Sequence, residues 1–179
     1  MKTAILLTGA PRCGKTTLLQ KVLAGYHGQA GGFYTREVRQ NGQRTAFEMV
    51  TLDGKTGTLA GIHLSGPPRV GKYGVDLTAL ESVGVPAIRT ACQDGKMVVV
   101  DEIGPMEIFS AVFCQTVLET LDAGCPLFGT IVQRSTSFGD RIKARREVEV
   151  IEVTPTNRDD LVDGIIGKLC AMTNALCQE

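Results

Sequence analysis

The sequence lacks several features that would place it in a common functional class. Acidic and basic residues balance at 19 each in 179 residues, so net charge predicts no bulk electrostatic partner such as nucleic acid. No apolar stretch is long enough to span a bilayer. The start, Met1-Lys2 before an apolar run, resembles a signal peptide. Its apolar core of about four residues is shorter than the roughly 7–15 required, so we expect a cytoplasmic protein.

The cysteines form no C-x-x-C pair and no ligand cluster with the two histidines. We therefore expect scattered, reduced thiols, as is usual in the cytosol. The six positions are Cys13, Cys92, Cys114, Cys125, Cys170 and Cys177.

Residues 9–16 read Gly-Ala-Pro-Arg-Cys-Gly-Lys-Thr and match the phosphate-binding loop G-x-x-x-x-G-K-[ST] at every fixed position. The apolar run 3–8 before the loop is typical of a buried parallel strand. Residues 17–23 after it have the apolar spacing of a helix. Strand, glycine-containing turn and helix are the context that this motif requires, so the sequence predicts a nucleotide site.

The residue types in the loop explain this chemistry. Gly9 and Gly14 permit a tight turn and close approach to an anion, and amides at the helix start can face phosphate. Lys15 should reach the outer phosphates, and the Thr16 hydroxyl should ligate Mg²⁺. The predicted nucleotide contacts in the loop are Gly9, Ala10, Pro11, Arg12, Cys13, Gly14, Lys15, Thr16 and Thr17.

A second chemical signature is the apolar run 97–100 followed by Asp101 and Glu102. Asp101 would emerge at the carboxyl end of a strand, where ligands of open α/β sheets bind, and could hold Mg²⁺ directly or through water. Glu102 could orient a water molecule against the terminal phosphate and accept its proton. A turn or an acidic helix start is the alternative, because Gly104-Pro105 follows.

Arginines near the predicted site could stabilise charge on the transferring phosphoryl group. Arg134, together with Gln133, follows the apolar strand 126–132, and we favour it as a catalytic residue. The alternative for Arg134 and Gln133 is a solvated strand end without a catalytic role. The alternative for the hairpin arginines is an exposed face of the hairpin. The remaining candidates lie on a predicted hairpin and are Arg36, Arg39 and Arg44.

The segment Asn157-Arg-Asp-Asp160 follows the predicted strand 148–153 and resembles the guanine-reading element N-[KT]-x-D of GTPases. Capping of the last helix is the alternative, with Thr156 or Asn157 as the cap and acidic residues near the positive end of the helix. We expect Asn157 to contact the base without guanine specificity.

The chain predicts a three-layer α/β fold in one domain, residues 1–179, with no linker or internal repeat. An antiparallel meander should follow the first helix, since Asn41-Gly42 and Asp53-Gly54 are hairpin signals. Its predicted strands are 31–39, 45–52 and 56–64. Residues 65–75 are expected to form a loop, and residues 141–146 a short basic segment. Helices are predicted at 76–92, beginning at an Asp76 cap, at 106–123 and at 158–176.

Five further segments, in order along the chain, resemble the small nucleoside-triphosphatase family that includes the thermophilic NTPases and the animal cancer-related nucleoside-triphosphatase. They are residues 31–39, 50–54, 70–76, 101–107 and 153–159. The resemblance implies a monomeric, Mg²⁺-dependent hydrolase of broad nucleotide preference with a RecA-like mixed sheet. It carries nucleotide binding to the loop Gly9–Thr16 and to Asp101, Glu102, Ile103 and Gly104. The sequence departs from the family at Pro105, where members often have lysine.

The sequence therefore predicts hydrolysis of nucleoside triphosphates (ATP, GTP, CTP, UTP and TTP, with diphosphates as weaker substrates) to the diphosphate and phosphate. Lys15, Asp101 and Thr16 with Mg²⁺ would neutralise charge, and Glu102 would position the attacking water. Two alternatives remain open. One is a nucleotide-dependent switch protein with slow hydrolysis as a timer, and the other is a nucleoside or nucleotide kinase.

Overall fold

The computed structural model describes residues 2–176, and side chains up to residue 173. The strands are β1 (Ala4–Thr8), β2 (Ala30–Gln40), β3 (Gln43–Thr51), β4 (Thr56–Gly61), β5 (Arg69–Val70), β6 (Tyr73–Val75), β7 (Met97–Ile103), β8 (Leu127–Ile131) and β9 (Val148–Glu152). The helices are α1 (Lys15–Gly25), α2 (Leu77–Ala79), α3 (Val85–Gln93), α4 (Ala111–Asp122), α5 (Ser137–Lys143) and α6 (Leu161–Leu176).

The strands of residues 2–176 form one mixed sheet in the order β5-β6-β4-β3-β2-β7-β8-β1-β9. The five strands from β2 to β9 in this order are parallel to one another. The strands β3, β4, β6 and β5 extend the other edge in antiparallel pairs. Strand β8 separates β1 from β7. This topology confirms the predicted mixed sheet with an antiparallel insertion after the first helix.

Helices cover both faces of the parallel strands, as the predicted three layers require. One core contains Leu18 and Leu19 of α1 with Ile165 and Leu169 of α6. The other contains apolar side chains of α3, α4 and α5, among them Ile88, Phe113 and Ile142. Successive β1 residues alternate between the two cores, because neighbouring strand residues face opposite sides of a sheet. A strand segment buried on both faces is expected to be apolar, as residues 4–7 of β1 are.

The β2–β3 hairpin turns where the sequence predicts. Asn41 and Gly42 have φ angles of 50° and 77°, the left-handed conformations that a tight two-residue hairpin requires. Strand β4 ends at Gly61, earlier than predicted. The expectation of a plain loop over residues 65–75 is wrong, because β5 and β6 pair there and extend the sheet edge beyond β4. Two- and three-residue strands are too short to produce a periodic pattern.

The helices begin at capping residues that the apolar pattern only partly reveals. Asp76 accepts a hydrogen bond from the amide of Ala79, which confirms the predicted cap. A π-helical stretch, Leu80–Gly84, then joins α2 to α3. The predicted helix 106–123 is wrong at its start: a separate 3-10 turn covers Glu107–Phe109, and Ser110 caps α4 through the amide of Phe113.

Two further helix boundaries differ from the prediction. The basic segment 141–146 is partly helical, since α5 ends at Lys143. Thr136 starts that helix by accepting from the amide of Gly139. The last helix begins at Leu161, three residues after the predicted start, because residues 155–160 form turns.

Two cysteines are paired, so the expectation that all six are reduced thiols is wrong. Cys92 at the end of α3 and Cys125 before β8 form a disulfide, with their Cα atoms 5.7 Å apart. That separation is within the usual range for such a bond. Their spacing of 33 residues gives no sequence signal, because the fold alone brings them together. Cys13, Cys114 and Cys170 are free, and Cys177 lies outside the described residues.

Candidate functional site

Most of the predicted site residues lie at the carboxyl ends of β1 and β7, whereas Arg134 follows β8 and Asn157 follows β9. The phosphate-binding loop follows β1, and Asp101 and Glu102 lie near the carboxyl end of β7. Parallel strands bring these ends to one edge of the sheet, where ligands of open α/β sheets bind. Ile103 and Gly104 are buried just beyond the two carboxylates.

The phosphate-binding loop has the unusual backbone that its motif predicts. Gly9, Arg12 and Gly14 have φ angles of 151°, 66° and 104°. At Gly9 an added Cβ would collide with the carbonyl oxygen of Val153, which follows β9. Ala10, Pro11, Arg12 and Thr17 are exposed, and Cys13 is buried. Only glycine permits both the conformation and the close approach at position 9.

Lys15, which is predicted to contact the outer phosphates, lies over the phosphate-binding loop. Its Nζ donates to the carbonyl oxygens of Gly9 and Ala10, at 3.0 and 3.4 Å. The ammonium group is thus held at the mouth of the loop. Helix α1 begins at Lys15, so its first amides have no partner within the helix and are available to an anion.

Asp101 is buried and held by three threonine hydroxyls. Its Oδ2 accepts from Thr16 at 3.0 Å and from Thr35 at 3.4 Å, and its Oδ1 accepts from Thr130 at 2.7 Å. Burial raises the pKa of this carboxyl, and the three hydroxyls oppose that shift. A buried carboxylate beside a threonine hydroxyl offers the oxygen ligands that Mg²⁺ prefers.

Glu102 is half-buried, and its carboxyl group lies beside Gly104. An added Cβ on Gly104 would lie 2.9 Å from the carboxyl carbon of Glu102, so glycine there makes room for this side chain. Burial raises the pKa of Glu102, and the positive charge of Lys15 lowers it. The arrangement places a carboxyl group with a raised pKa close to the predicted phosphate site.

A third carboxyl, that of Glu107, is buried near the other two. Burial raises its pKa to about 8, and the negative charge of Glu102 adds to the shift. Its carboxylate form would accept from backbone amides of Glu107 and Gly104. Glu107 ends the family-like segment 101–107, but its burial could not be predicted, because a single acid at a predicted helix start is usually solvated.

The three hairpin arginines are engaged in the hairpin itself. Arg36 pairs with Glu48, and Arg39 and Arg44 both pair with Glu37. Arg44 also donates to the hydroxyl of a tyrosine and packs over two aromatic rings. Arg134 lies exposed in the loop after β8, beside the site edge of the sheet. Its predicted role in charge stabilisation stays a prediction.

Asn157 braces the loop between β9 and α6. Its Oδ1 accepts from the amide of Thr154 at 2.8 Å, and its Nδ2 donates to the carbonyl oxygen of Glu152 at 3.0 Å. Both polar ends of the side chain are thus used within the loop. The predicted base contact by Asn157 stays a prediction, and the neighbouring Arg158 contacts the phosphate-binding loop.

Four residues of this site were missed by sequence reasoning. Thr35 and Thr130 lie within predicted strands, where threonine is a common residue and gives no functional signal. The one available clue was that a threonine in a wholly buried strand needs a hydrogen-bond partner. Glu107 and Arg158 could not be distinguished from ordinary surface charges. Their positions depend on packing across the sheet.

Within residues 2–176 no helix has the length and apolar character needed to cross a membrane. The same residues bring together no group of three histidine, cysteine or acidic side chains able to hold a metal on their own.

A phosphate-binding loop after β1, with an acidic strand end two strands away, defines a P-loop nucleotide-binding protein with a RecA-like sheet order. The family model described as NTPase matches residues 4–166, and the chain belongs to that family. The family predicted from the sequence is confirmed.

Relatives of known name match over nearly their whole length. The nucleoside-triphosphatase THEP1 of Thermotoga petrophila is 44% identical over 162 residues, covering 90% of each chain. The human cancer-related nucleoside-triphosphatase is 41% identical over 182 aligned positions, covering 93% of this chain and 96% of the human one. The crystal structure of THEP1 from Aquifex aeolicus superposes with a TM-score of 0.84 at 34% identity, covering 93% and 98% of the two chains. The sequence similarity supports the family assignment, and the structural similarity supports the fold.

Proposed function

We propose that this protein hydrolyses nucleoside triphosphates to the diphosphate and phosphate. The observation that carries the proposal is Glu102, a half-buried carboxyl with a raised pKa at the end of β7, in the electrostatic field of Lys15. A carboxylate in that position can hold a water molecule against the terminal phosphate and accept its proton as the water attacks in line. The names of the relatives, both nucleoside-triphosphatases, support the same reaction.

The residues present fit a bound Mg²⁺. Thr16 and Asp101 are joined by a 3.0 Å hydrogen bond, and burial disfavours the charge on Asp101 in the absence of a cation. Thr16 would hold the metal, and Asp101 would hold it directly or through water. When bound with the nucleotide, the metal neutralises charge on the phosphates. Thr130 and Thr35 keep the Asp101 carboxylate in one orientation.

The loop and Lys15 would bind the phosphates before any chemistry occurs. Backbone amides at the start of α1 offer donors to the α- and β-phosphates, and the ammonium group contributes a charge-assisted contact. Bound phosphate would replace the carbonyl oxygens of Gly9 and Ala10 as partners of Lys15. Arg134 is proposed to stabilise the charge that develops on the equatorial oxygens.

A broad substrate range is part of the proposal, with ATP, GTP, CTP, UTP and TTP as substrates and diphosphates as weaker ones. Asn157, the residue predicted to read a base, uses its amide group inside its own loop. Discrimination between bases needs unpaired donors and acceptors matched to one base edge. The expected cytoplasmic location and monomeric state remain predictions.

Phosphate release should be measured for the five triphosphates and their diphosphates, with Mg²⁺ and with the metal chelated. The proposal expects Mg²⁺-dependent release from all five triphosphates within about a hundredfold of one another in kcat/KM. Strict preference for GTP would favour a GTPase. Phosphate transfer to an added nucleoside would favour a kinase, and tight binding with almost no turnover would favour a switch protein.

A further inference from the structure

Arg158 packs directly on the phosphate-binding loop. A Cβ added to Gly14 would lie 2.8 Å from a terminal nitrogen of the Arg158 guanidinium and 2.9 Å from its Cδ. The side chain therefore rests on the Cα of Gly14, in the space that a larger residue would fill. Gly14 thus has a second reason to be glycine besides its φ of 104°.

The loop that carries Arg158 is held by its own hydrogen bonds. The Arg158 amide donates to the carbonyl oxygen of Thr154 at 3.2 Å, and the Leu161 amide donates to that of Asn157 at 3.2 Å. The side-chain amide of Asn157 also accepts from the amide of Thr154 and donates to the carbonyl oxygen of Glu152. The arginine is therefore presented from a braced turn, which limits the conformational entropy lost when it contacts a ligand.

Among the residues that the structure describes, no carboxylate is hydrogen-bonded to the guanidinium. The adjacent Asp159 pairs with Lys21 at 2.7 Å, and its nearest oxygen lies 3.8 Å from the Arg158 Nε, too far for a hydrogen bond. That Nε is buried and has no hydrogen-bond partner among the residues described. About a third of the side chain, 38%, remains exposed. The site thus holds a planar cation, packed on one side and open on the other.

The position of Arg158 in the sheet indicates which part of a nucleotide it would meet. It follows β9, whereas Asp101 and Glu102 end β7, and the loop after β1 lies between these two strands in the sheet order. A triphosphate whose terminal phosphate faces Glu102 therefore directs its nucleoside toward the β9 side. The loop that carries Arg158 follows β9 and therefore lies on this nucleoside side of the phosphate-binding loop.

We propose that Arg158 is the base platform of this site and stacks its guanidinium on the nucleobase. The inference rests on the proposed nucleotide hydrolysis and adds a residue for the base. Every base has a π face, so a stacked guanidinium contributes affinity without selecting one base. Such a platform is compatible with a broad nucleotide range, which a hydrogen-bonding reader would restrict.

The test compares Arg158→Ala and Arg158→Lys with the parent and with Arg89→Ala, a matched change at an exposed arginine of α3. Dissociation constants are measured by calorimetry for ADP, GDP, CDP, UDP and inorganic tripolyphosphate, with Mg²⁺ chelated so that none of these ligands is hydrolysed. Arg158→Ala should weaken all four nucleotides by about 3- to 30-fold, as expected for one cation–π stack. Tripolyphosphate, which has no base, should bind as tightly as to the parent.

Arg158→Lys keeps the positive charge and the aliphatic part of the side chain but loses the planar guanidinium group that would stack on the base. Nucleotide binding should therefore remain at least about threefold weaker than in the parent. Equal weakening of tripolyphosphate, or full rescue by lysine, would make Arg158 a phosphate contact and overturn the proposal. Unchanged nucleotide binding in both variants would also overturn it. Because diphosphate binding needs no turnover, a parent that binds but does not hydrolyse would refute the proposed function and leave the platform intact.

Discussion

The hydroxyl of Thr16 donates a 3.0 Å hydrogen bond to Oδ2 of Asp101, which joins the phosphate-binding loop to the acidic strand end across 85 positions of sequence. Because β8 lies between β1 and β7, the two side chains meet above that strand, and Thr130 of β8 holds the other carboxylate oxygen at 2.7 Å. Side chains of α1 and β8 thus fix one carboxylate of β7, as a preorganised metal site requires.

Replacing Lys15 with alanine should weaken triphosphate binding by about 10- to 100-fold, since a charge-assisted hydrogen bond contributes about 1.5–3 kcal/mol. The fold should persist, because the Nζ bonds only two carbonyl oxygens of its own loop. Calorimetric titration with a triphosphate measures the change. Lys55→Ala, at an exposed lysine of the hairpin region, is the matched control, and equal affinity in all three proteins would refute the assignment of Lys15.

Glu102→Gln should lower kcat by about 10²–10⁴-fold with little change in KM, because a water-positioning base acts mainly on the way to the transition state. Steady-state phosphate release gives both constants. Glu119→Gln, on the exposed surface of α4, should behave as the parent. A kcat within about threefold of the parent would mean that another group holds the water.

Arg134→Ala should lower kcat at saturating nucleotide by at least about tenfold with little loss of binding, as expected for a contact made in the transition state. Arg36→Ala serves as the control, since Arg36 is already paired with Glu48. If Arg134 and the three hairpin arginines can all be replaced without loss, none of these four serves the role, and the switch-protein alternative, with an arginine supplied by a partner, gains support.

Glu107→Gln should change how stability depends on pH. The folded pKa of about 8 lies above the ordinary value of 4.5, so the folded state keeps a proton that the unfolded state releases. Stability from this group is present below about pH 4.5 and is lost as pH rises through about 8, by about 1.4 kcal/mol per unit of difference. The glutamine variant should flatten that decline.

Urea unfolding of the metal-free protein at intervals between about pH 5 and 8 measures the effect on the free energy of unfolding. Asp101 and Glu102 also have pKa values raised by burial, so a smaller slope should persist in the variant. Glu119→Gln should leave the parent slope unchanged. A Glu107→Gln protein whose slope equals that of the parent would show that Glu107 does not hold its proton.

Reduction of the Cys92–Cys125 disulfide should destabilise the fold by about 3–4 kcal/mol, the loop-closure contribution for a spacing of 33 residues. Thermal unfolding with and without dithiothreitol measures the shift in Tm. The Cys92→Ser variant should be less stable than the oxidised parent and insensitive to the reductant. A parent whose Tm does not respond to reduction would restore the original expectation of six free thiols.

The sequence alone determined the phosphate-binding loop, the apolar strands and the hairpin at Asn41-Gly42, because each depends on local residue types at fixed spacing. It also placed Asp101 and Glu102 at a strand end. The tertiary structure decided what lies around them. Thr35 and Thr130 bond to Asp101 only because β2, β7 and β8 are neighbours, and nothing within those segments encodes that order.

The same distinction separates the arginines and the cysteines. The sequence offered Arg36, Arg39 and Arg44 as candidates, and packing paired all three within the hairpin. In the sequence Arg158 is an ordinary charge near a helix start, whereas in the structure the β9–α6 loop packs it against Gly14. Cys92 and Cys125 likewise become partners only when α3 and β8 are in place. Motifs of neighbouring residues can be recognised in the sequence, whereas contacts between distant segments depend on how the strands and helices pack across the sheet.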